Sequence, residues 1–104
     1  MPFADVLQSA RVEAVQSLST RASLFNRLAK ATENPSSRRR FYQMKSIAIS
    51  RLIALGAAEV EELFPRQGML TVALPNGRCL HCPVDQLRPD ARRVLADRLT
   101  ALCA

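Results

Sequence analysis

Glycine, aromatic residues and histidine are scarce in this chain of 104 residues, which holds three Gly, four Phe, one Tyr, one His and no Trp. The glycines stand alone at positions 56, 68 and 77, so no glycine-rich loop is available to cradle a phosphate group. The lone histidine has no orienting acid beside it, and no pair of carboxylates is spaced for acid–base chemistry. We therefore predict a protein that is not an enzyme and that carries no cofactor.

Long apolar runs and a disulfide framework are also missing. No segment of about 18 apolar residues is present, which argues against a membrane-spanning helix. The first residues lack the basic stretch and apolar run of a secretory signal. Three cysteines are an odd number and fit a reducing compartment, so the expected location is cytoplasmic, with no membrane partner. The apolar fraction of 48% and the length predict a single folded domain over residues 1–104.

Positive charge is concentrated in the first half of the chain. Residues 1–58 contain nine Lys or Arg and three acids, whereas residues 59–104 contain six of each. The formal net charge of +6 therefore belongs to the first half. No acid lies between Glu33 and Glu59, a stretch that includes three consecutive arginines at positions 38–40. Basic surfaces of this kind attract polyanions such as nucleic acid.

Residues 3–32 have the apolar spacing of one long helix. Ser17, Ser19 and Thr20 lower helix propensity, and a bend is expected there. The apolar series runs in steps of three or four, with one gap near Arg21. It consists of Phe3, Leu7, Ala10, Ala14, Leu18, Phe25 and Leu28.

A second helix is predicted from the turn at residues 32–37 to about Leu55. Asn34 is the expected N-cap with Pro35 at the first helical position, and the two serines that follow are the alternative caps. Gly56 fits the left-handed position after a helix C-terminus. Because the connector is short, the two helices should lie antiparallel.

The second half of the chain alternates short apolar segments with turn residues, which is typical of strands. Asn76-Gly77 predicts a two-residue type I′ hairpin loop, which would pair Leu74 with Cys79 and Val72 with His81. Strands are predicted over residues 60–64, 69–74 and 78–82, and a third helix over residues 89–102.

The predicted fold class is α+β: an N-terminal antiparallel helical hairpin, a small antiparallel β-hairpin or three-stranded meander, and a C-terminal helix. Within the single domain, residues 1–58 form the basic helical hairpin, residues 59–83 the β-hairpin region and residues 84–104 the C-terminal helix. Glu59, Glu61 and Glu62 predict an exposed strand edge that resists pairing with another strand.

Two residues of the second helix break its polarity pattern when it is drawn at about 100° per residue. Lys45 falls within the apolar arc. Either its stem is buried while its charge reaches solvent or pairs with Glu13 or Asp5, or it is a ligand-facing cation in a groove. Ile47 falls on the polar face, where it is either a singly exposed apolar residue or the contact for a partner or a second copy.

Arg38, Arg39 and Arg40 stand at the start of the second helix, where the helix dipole disfavours cations. One interpretation is an anion site formed by the helix N-terminal amides and these guanidiniums, with the hydroxyl of Tyr42 as a further donor to phosphate. The other is a solvated run of charge at the end of the hairpin.

Cys79, His81, Cys82 and Cys103 are the only residues whose types suggest a zinc site. The strand alternation argues against it, because Cys79 and His81 should face one side of the sheet and Cys82 the other. Buried small side chains, with the histidine beside Val72, are therefore favoured over a metal centre.

The leading hypothesis is a small non-enzymatic nucleic-acid-binding protein, regulatory or accessory, that contacts the phosphate backbone of DNA or RNA through its basic helical hairpin. The alternative is a protein–protein interaction module (an adaptor, inhibitor or assembly subunit) that docks an acidic partner surface with the same hairpin. A homodimer stays open under both, with Ile47 as the partner or dimer contact. The residues predicted to bind nucleic acid or a partner are Arg27, Lys30, Arg38, Arg39, Arg40, Tyr42, Lys45 and Arg51.

Overall fold

The computed structural model describes residues 2–64 and 66–103, and the side chains of residues 98–103 lie outside this description. Within these residues the three strands form one antiparallel sheet in the order β1-β2-β3, so the predicted α+β fold is confirmed in its meander form. None of the helices described is long and apolar enough to cross a membrane. The elements are α1 (Phe3–Ala31), α2 (Pro35–Ala54), β1 (Glu59–Phe64), β2 (Met69–Ala73), β3 (Cys79–Pro83), a short 3-10 turn (Val84–Gln86) and α3 (Pro89–Cys103).

Helices α1 and α2 pack side by side in opposite directions. The rings of Phe25 and Phe41 stack with their centroids 6.4 Å apart, near the loop that joins the helices. At the far end Arg11 Nη2 donates a 2.7 Å hydrogen bond to the carbonyl oxygen of Leu55. Contacts thus move toward the N-terminus of α1 as they move toward the C-terminus of α2, as an antiparallel helical pair requires.

The two ends of α2 form as local chemistry predicts. Asn34 is the N-cap, and its Oδ1 accepts hydrogen bonds from the amides of Ser36 and Ser37 at 3.0 and 3.2 Å. Pro35 occupies the first helical position, where its missing N–H would have had no partner in the helix. Gly56 follows the helix with a φ of +71°, a left-handed conformation that glycine adopts without steric cost.

The register between β2 and β3 differs from the predicted one by a single residue. Val72 pairs with Leu80, and Thr71 rather than Val72 pairs with His81. The predicted two-residue loop is therefore wrong, and the loop holds the three residues Pro75–Gly77. His81 still lies on the exposed side of β3, whereas Leu80 is buried.

Proline at position 75 explains the different loop. No described residue other than glycine has a positive φ, which excludes the type I′ turn at Asn76. Instead, the Gly77 amide donates a 3.0 Å hydrogen bond to the Leu74 carbonyl, and Gly77 has a φ of +84°. A type I turn with Pro75 in its second position, followed by a left-handed glycine, is the common three-residue hairpin loop.

The core lies where α2 is covered by the sheet on one side and by α1 and α3 on the others. Ile49, Leu52 and Ile53 of α2 are fully buried, as are Leu70 and Val72 of β2. Helix α2 therefore packs against several elements at once. The cluster is completed by Leu18, Ala22, Ala48, Ala58, Leu74, Leu80, Cys82, Leu87, Ala91 and Leu95.

The first half of α1 is uncovered. Every residue from Pro2 to Ala14 is exposed, including Phe3 at 77% and Leu7 at 55%. Burial begins only near Leu18, because α2 reaches back no further along α1 than Arg11. The apolar series predicted along the whole of α1 is therefore divided into a packed half and an unpacked half.

Candidate functional site

A cleft of about 700 Å³ opens between the helical pair and the β2–β3 hairpin. Three cations, Lys30, Lys45 and Arg78, line it together with His81, and none of the lining residues that the structure describes is acidic. We call it the basic cleft. Its other lining residues are Asn26, Tyr42, Ser46, Met69, Cys79, Leu80, Pro83 and Gln86.

Lys45 is the most unusual residue of the basic cleft, because it is a cation with only 4% of its surface exposed. Its Nζ donates a 2.9 Å hydrogen bond to Asn26 Oδ1 and lies 5.3 Å from the centre of the Tyr42 ring. The predicted pairing with Glu13 or Asp5 is wrong, since an amide and an aromatic ring take the place of a carboxylate.

The surroundings of Lys45 disfavour its charge. Burial lowers the pKa of Lys45 from its usual 10.5, the charge of Lys30 adds to this change, and only an ionised Cys82 would oppose it. One amide oxygen satisfies only one of the three donors of an ammonium group. An anion in the basic cleft would supply the missing hydrogen bonds and the missing charge.

Neutral hydrogen bonds join α2 to the sheet beneath the basic cleft. Ser46 Oγ donates to Gln86 Oε1 at 2.7 Å, and the Cys82 thiol donates to Ser46 Oγ at 3.5 Å. Burial raises the pKa of the Cys82 thiol, although its hydrogen bond to Ser46 and the charge of Lys45 oppose the change. The thiol is thus held in its neutral form, and this group positions Ser46 and Gln86 at the wall of the basic cleft.

The opposite wall comes from the β2–β3 hairpin. Arg78 follows the three-residue loop directly and is exposed, as are Cys79 and His81. His81 Nδ1 lies 3.1 Å from Thr71 Oγ1, which fixes the orientation of the ring. The expectation that His81 would lie beside Val72 is wrong, because the shifted register places it opposite a polar residue and at the edge of the basic cleft.

The three arginines at the start of α2 do not form one site. Arg38 Nε and Nη2 donate to the carbonyl oxygen of Thr32 at 3.0 and 2.7 Å, so this guanidinium holds the end of α1. The first-turn amides that were expected to bind an anion already bond to Asn34 Oδ1. Arg39 and Arg40 are exposed outside the basic cleft, where they can meet a long polyanion.

Replacing Arg38 is expected to affect folding more than replacing either neighbour. Arg38→Ala should lower the free energy of unfolding by about 1 kcal/mol, because two hydrogen bonds to one exposed carbonyl are lost. Arg39→Ala should change it by less than about 0.5 kcal/mol. Urea denaturation of both variants measures the difference. Equal effects would show that the Arg38–Thr32 contact contributes nothing specific.

Ile47 and Arg51 lie on a different face of the helical pair from the basic cleft. Together with Arg21, Phe25 and Met44 they line an apolar groove of about 370 Å³ between α1 and α2. Leu18 and Ala48 form the rest of its lining. The structure thus separates the predicted binding residues: Lys30, Tyr42 and Lys45 line the basic cleft, and Arg51 lies across the helices from them.

The cysteine–histidine segment is spread over both faces of β3. Cys79 and His81 are exposed, Cys82 is buried, and the side chain of Cys103 lies outside the described residues. Among the side chains that the structure does describe, no three His, Cys, Asp or Glu residues are grouped closely enough to hold a metal ion.

Four polar residues of the basic cleft were not singled out by the sequence analysis. Asn26, Ser46 and Gln86 are neutral, so no charge pattern marks them. Arg78 belongs to the half of the chain whose charges balance. A usable signal did exist on α1, where Asn26 and Lys30 are four residues apart and therefore share one face of the helix.

This chain matches no known family model, no curated protein and no solved structure.

Proposed function

We propose that this protein binds nucleic acid without catalysing a reaction, through contacts to the phosphate backbone in the basic cleft. The observation that supports the proposal is the convergence of Lys30, Lys45 and Arg78 on one cleft with no acidic lining residue in the described part of the chain. These cations come from α1, from α2 and from the end of the β2–β3 loop, so folding is required to bring them together. Lysine and arginine bind phosphate oxygens through charge-assisted hydrogen bonds, and such contacts position proteins on nucleic acid.

The burial of Lys45 gives the proposal its energetic argument. Removing an ammonium group from water costs several kcal/mol unless a partner compensates for the lost hydration. Within the described residues the partners of Lys45 are one amide oxygen and one aromatic ring, which compensate only in part. A phosphate would complete this compensation, so part of the free energy of binding comes from relieving a cost already present in the folded protein.

Residues around the basic cleft suit a chain of phosphates better than a single small anion. Tyr42 and His81 bring an aromatic ring and a hydroxyl or ring nitrogen to the cleft, groups that contact bases and backbone in nucleic-acid complexes. Arg27, Arg39 and Arg40 are exposed outside the cleft and extend the positive field. A polymer can contact both regions, whereas a single small anion cannot.

An acidic protein surface is the alternative ligand for the same charges. Lys45 is recessed, with 4% of its surface exposed, and carboxylates on a convex folded surface would not reach it. An unpaired phosphodiester strand is thin enough to enter a cleft, whereas the phosphates of a duplex would meet only the exposed Lys30 and Arg78. We therefore favour nucleic acid and use an acidic polymer to discriminate between the two ligands.

The proposal is tested by fluorescence anisotropy of short labelled duplex DNA and single-stranded RNA, titrated with the protein at two salt concentrations. We expect the logarithm of the binding constant to fall linearly with the logarithm of the salt concentration. The slope should be about −0.9 per neutralised phosphate on duplex DNA. The double variant Lys30→Gln, Arg78→Gln should weaken binding by roughly tenfold or more. Its salt slope should be shallower by the equivalent of about one to two phosphate contacts.

Two matched controls remove the same number of charges elsewhere. Arg39→Gln with Arg40→Gln should have a smaller effect, and Arg66→Gln with Arg93→Gln should leave the slope nearly unchanged. Equal losses in all three double variants would show that binding is diffuse and would overturn the basic cleft as the site. Polyglutamate that competes as well as nucleic acid would instead support the acidic protein partner.

A further inference from the structure

The face of the helical pair opposite the basic cleft presents two unsatisfied apolar features. The first is the uncovered half of α1, on which Phe3 and Leu7 are 77% and 55% exposed. The second is the apolar groove between α1 and α2, which Met44 and Ile47 line at 38% and 39% exposure. A helical segment of about twelve residues is marginally stable when nothing packs against it. The uncovered half of α1 is held only by its continuity with the packed half, and a partner surface that covers Phe3 and Leu7 would stabilise it.

Both features lie on the same side of α1. At 100° per residue, Phe3, Leu7 and Ala14 fall within about 60° of Phe25, which lines the apolar groove. The exposed stripe is thus continuous with the groove along one face of the helix.

We propose that a second copy of this chain covers this face, with the two α1 helices antiparallel about a two-fold axis at Ala14, so that the uncovered half of each α1 lies in the apolar groove of the other copy. The uncovered half of α1 has no surface packed against it, and the apolar groove has no helix packed in it. A two-fold axis places the uncovered half of each copy in the groove of the other. In a two-fold interface, if residue i of one copy contacts residue j of the other, then residue j of the first copy contacts residue i of the second.

The stripe is self-complementary about Ala14. Phe3 meets Phe25 of the second copy, Ala10 meets Leu18, and Ala14 meets its own equivalent. Leu7 meets the aliphatic stem of Arg21. Arg11 also falls within this arc, but its guanidinium is held by the Leu55 carbonyl of its own copy. Large side chains thus face small ones beside the axis, and the exposed Ala10 and Ala14 let the helices approach closely. The aromatic residues meet at both ends, against the Phe25–Phe41 stack.

Charge and area also favour a second copy. Residues 3–14 contain two acids and one arginine, and the groove that would receive them is lined by Arg21 and Arg51, so charges of opposite sign meet although the chain as a whole carries +6. Phe3, at 77% exposure, offers roughly 150 Å² of apolar surface. Doubled by symmetry, Phe3, Leu7, Met44, Ile47 and their neighbours offer on the order of 1,000 Å², the lower bound for a specific interface.

Sedimentation equilibrium of the full chain tests this inference independently of nucleic-acid binding. We expect a reversible dimer at micromolar concentrations. Ala14→Arg should weaken it by more than about tenfold, since two guanidiniums would meet at the axis. Ser9→Arg adds the same charge on the opposite face of α1 and should leave the dimer intact. A monomer at every concentration, or equal weakening by both variants, would overturn the inference and leave the face to a different protein.

Disulfide trapping provides a second readout that does not depend on affinity. In a chain with Cys79→Ser and Cys103→Ser, a cysteine at position 14 should form an intermolecular disulfide under oxidised glutathione, because identical residues at the axis bring their Cα atoms within about 4–7 Å. A cysteine at position 9 in the same background is the control. Trapping at position 9 as fast as at position 14 would exclude the proposed axis.

Discussion

Lys45→Met is expected to stabilise the protein by about 1 kcal/mol while weakening its binding to nucleic acid by roughly tenfold to a hundredfold. Methionine keeps the length of the aliphatic stem and carries no charge. The variant therefore folds without the desolvation free energy that the Lys45 ammonium group costs. The gain is limited because Asn26 loses its 2.9 Å hydrogen bond. Urea denaturation and anisotropy on the same preparation measure the two effects.

The control for this prediction is Lys30→Met, which removes an exposed charge from the same cleft. It should weaken binding but should not stabilise the fold. If Lys45→Met were less stable than the natural chain by more than about 1 kcal/mol, the Lys45 ammonium would be well solvated by its present partners and the energetic argument for an anion would fail.

The pH dependence of stability provides an independent check on Lys45. Its pKa in the folded protein lies below the usual 10.5, so between those two values the unfolded chain binds more protons than the folded one. Raising the pH through that window therefore stabilises the natural chain with respect to this group. The stability advantage of Lys45→Met should shrink as the pH rises toward 10.5. An advantage that does not change with pH would contradict a lowered pKa of Lys45 in the folded protein.

The largest loss of stability is expected for Ile49→Ala. Ile49 lies on α2 and is fully buried in the core. Truncating a buried isoleucine to alanine costs about 2–5 kcal/mol through lost burial and the cavity left behind. A domain of this size has a total free energy of unfolding of about 5–15 kcal/mol, so the variant should show a far lower urea midpoint.

Ile47→Ala is the matched control, since it makes the same substitution two residues away on the same helix. Ile47 is 39% exposed, and at low protein concentration its truncation should cost less than about 1 kcal/mol. Similar losses for the two variants would mean that the α2 core does not lie where the structure places it.

The helices were predictable because their signals are local and agree with one another. Asn34 and Pro35 specify the start of α2, Gly56 specifies its end, and the apolar spacing of α1 is uninterrupted over most of its length. Each of these signals depends only on neighbours within about one turn of helix. Tertiary contacts therefore had little to correct in these elements.

The β2–β3 register was not predictable from the Asn-Gly signal alone. Asn76-Gly77 favours a two-residue loop, whereas Pro75 fits the second position of a type I turn, and the two preferences differ by one residue of register. The three-residue loop satisfies Pro75 and keeps a left-handed glycine. It also places Leu80 and Cys82 on the buried face, so burial decides between two competing turn signals.

The basic cleft was predictable only on its helical side. Lys45 was identified as anomalous by its position on α2, because helical periodicity places residues of one element relative to each other. Arg78 was missed because its half of the chain carries equal numbers of acids and bases. In the sheet, β1 with its three glutamates lies at the edge opposite β3. The acids that cancel the positive charge of this half in the sequence therefore do not lie beside Arg78 in the structure.

The antiparallel direction of the helical pair has a consequence for how a dimer would act on long nucleic acid. In the two-fold arrangement inferred above, the basic loops that join α1 to α2 point away from each other at opposite ends of the paired helices. One α1 of 29 residues is about 40 Å long, so two basic clefts would be separated by at least a comparable distance. A short oligonucleotide would reach one cleft only, whereas a long strand would gain avidity from both. Such a dimer would bridge two distant segments and bring them together.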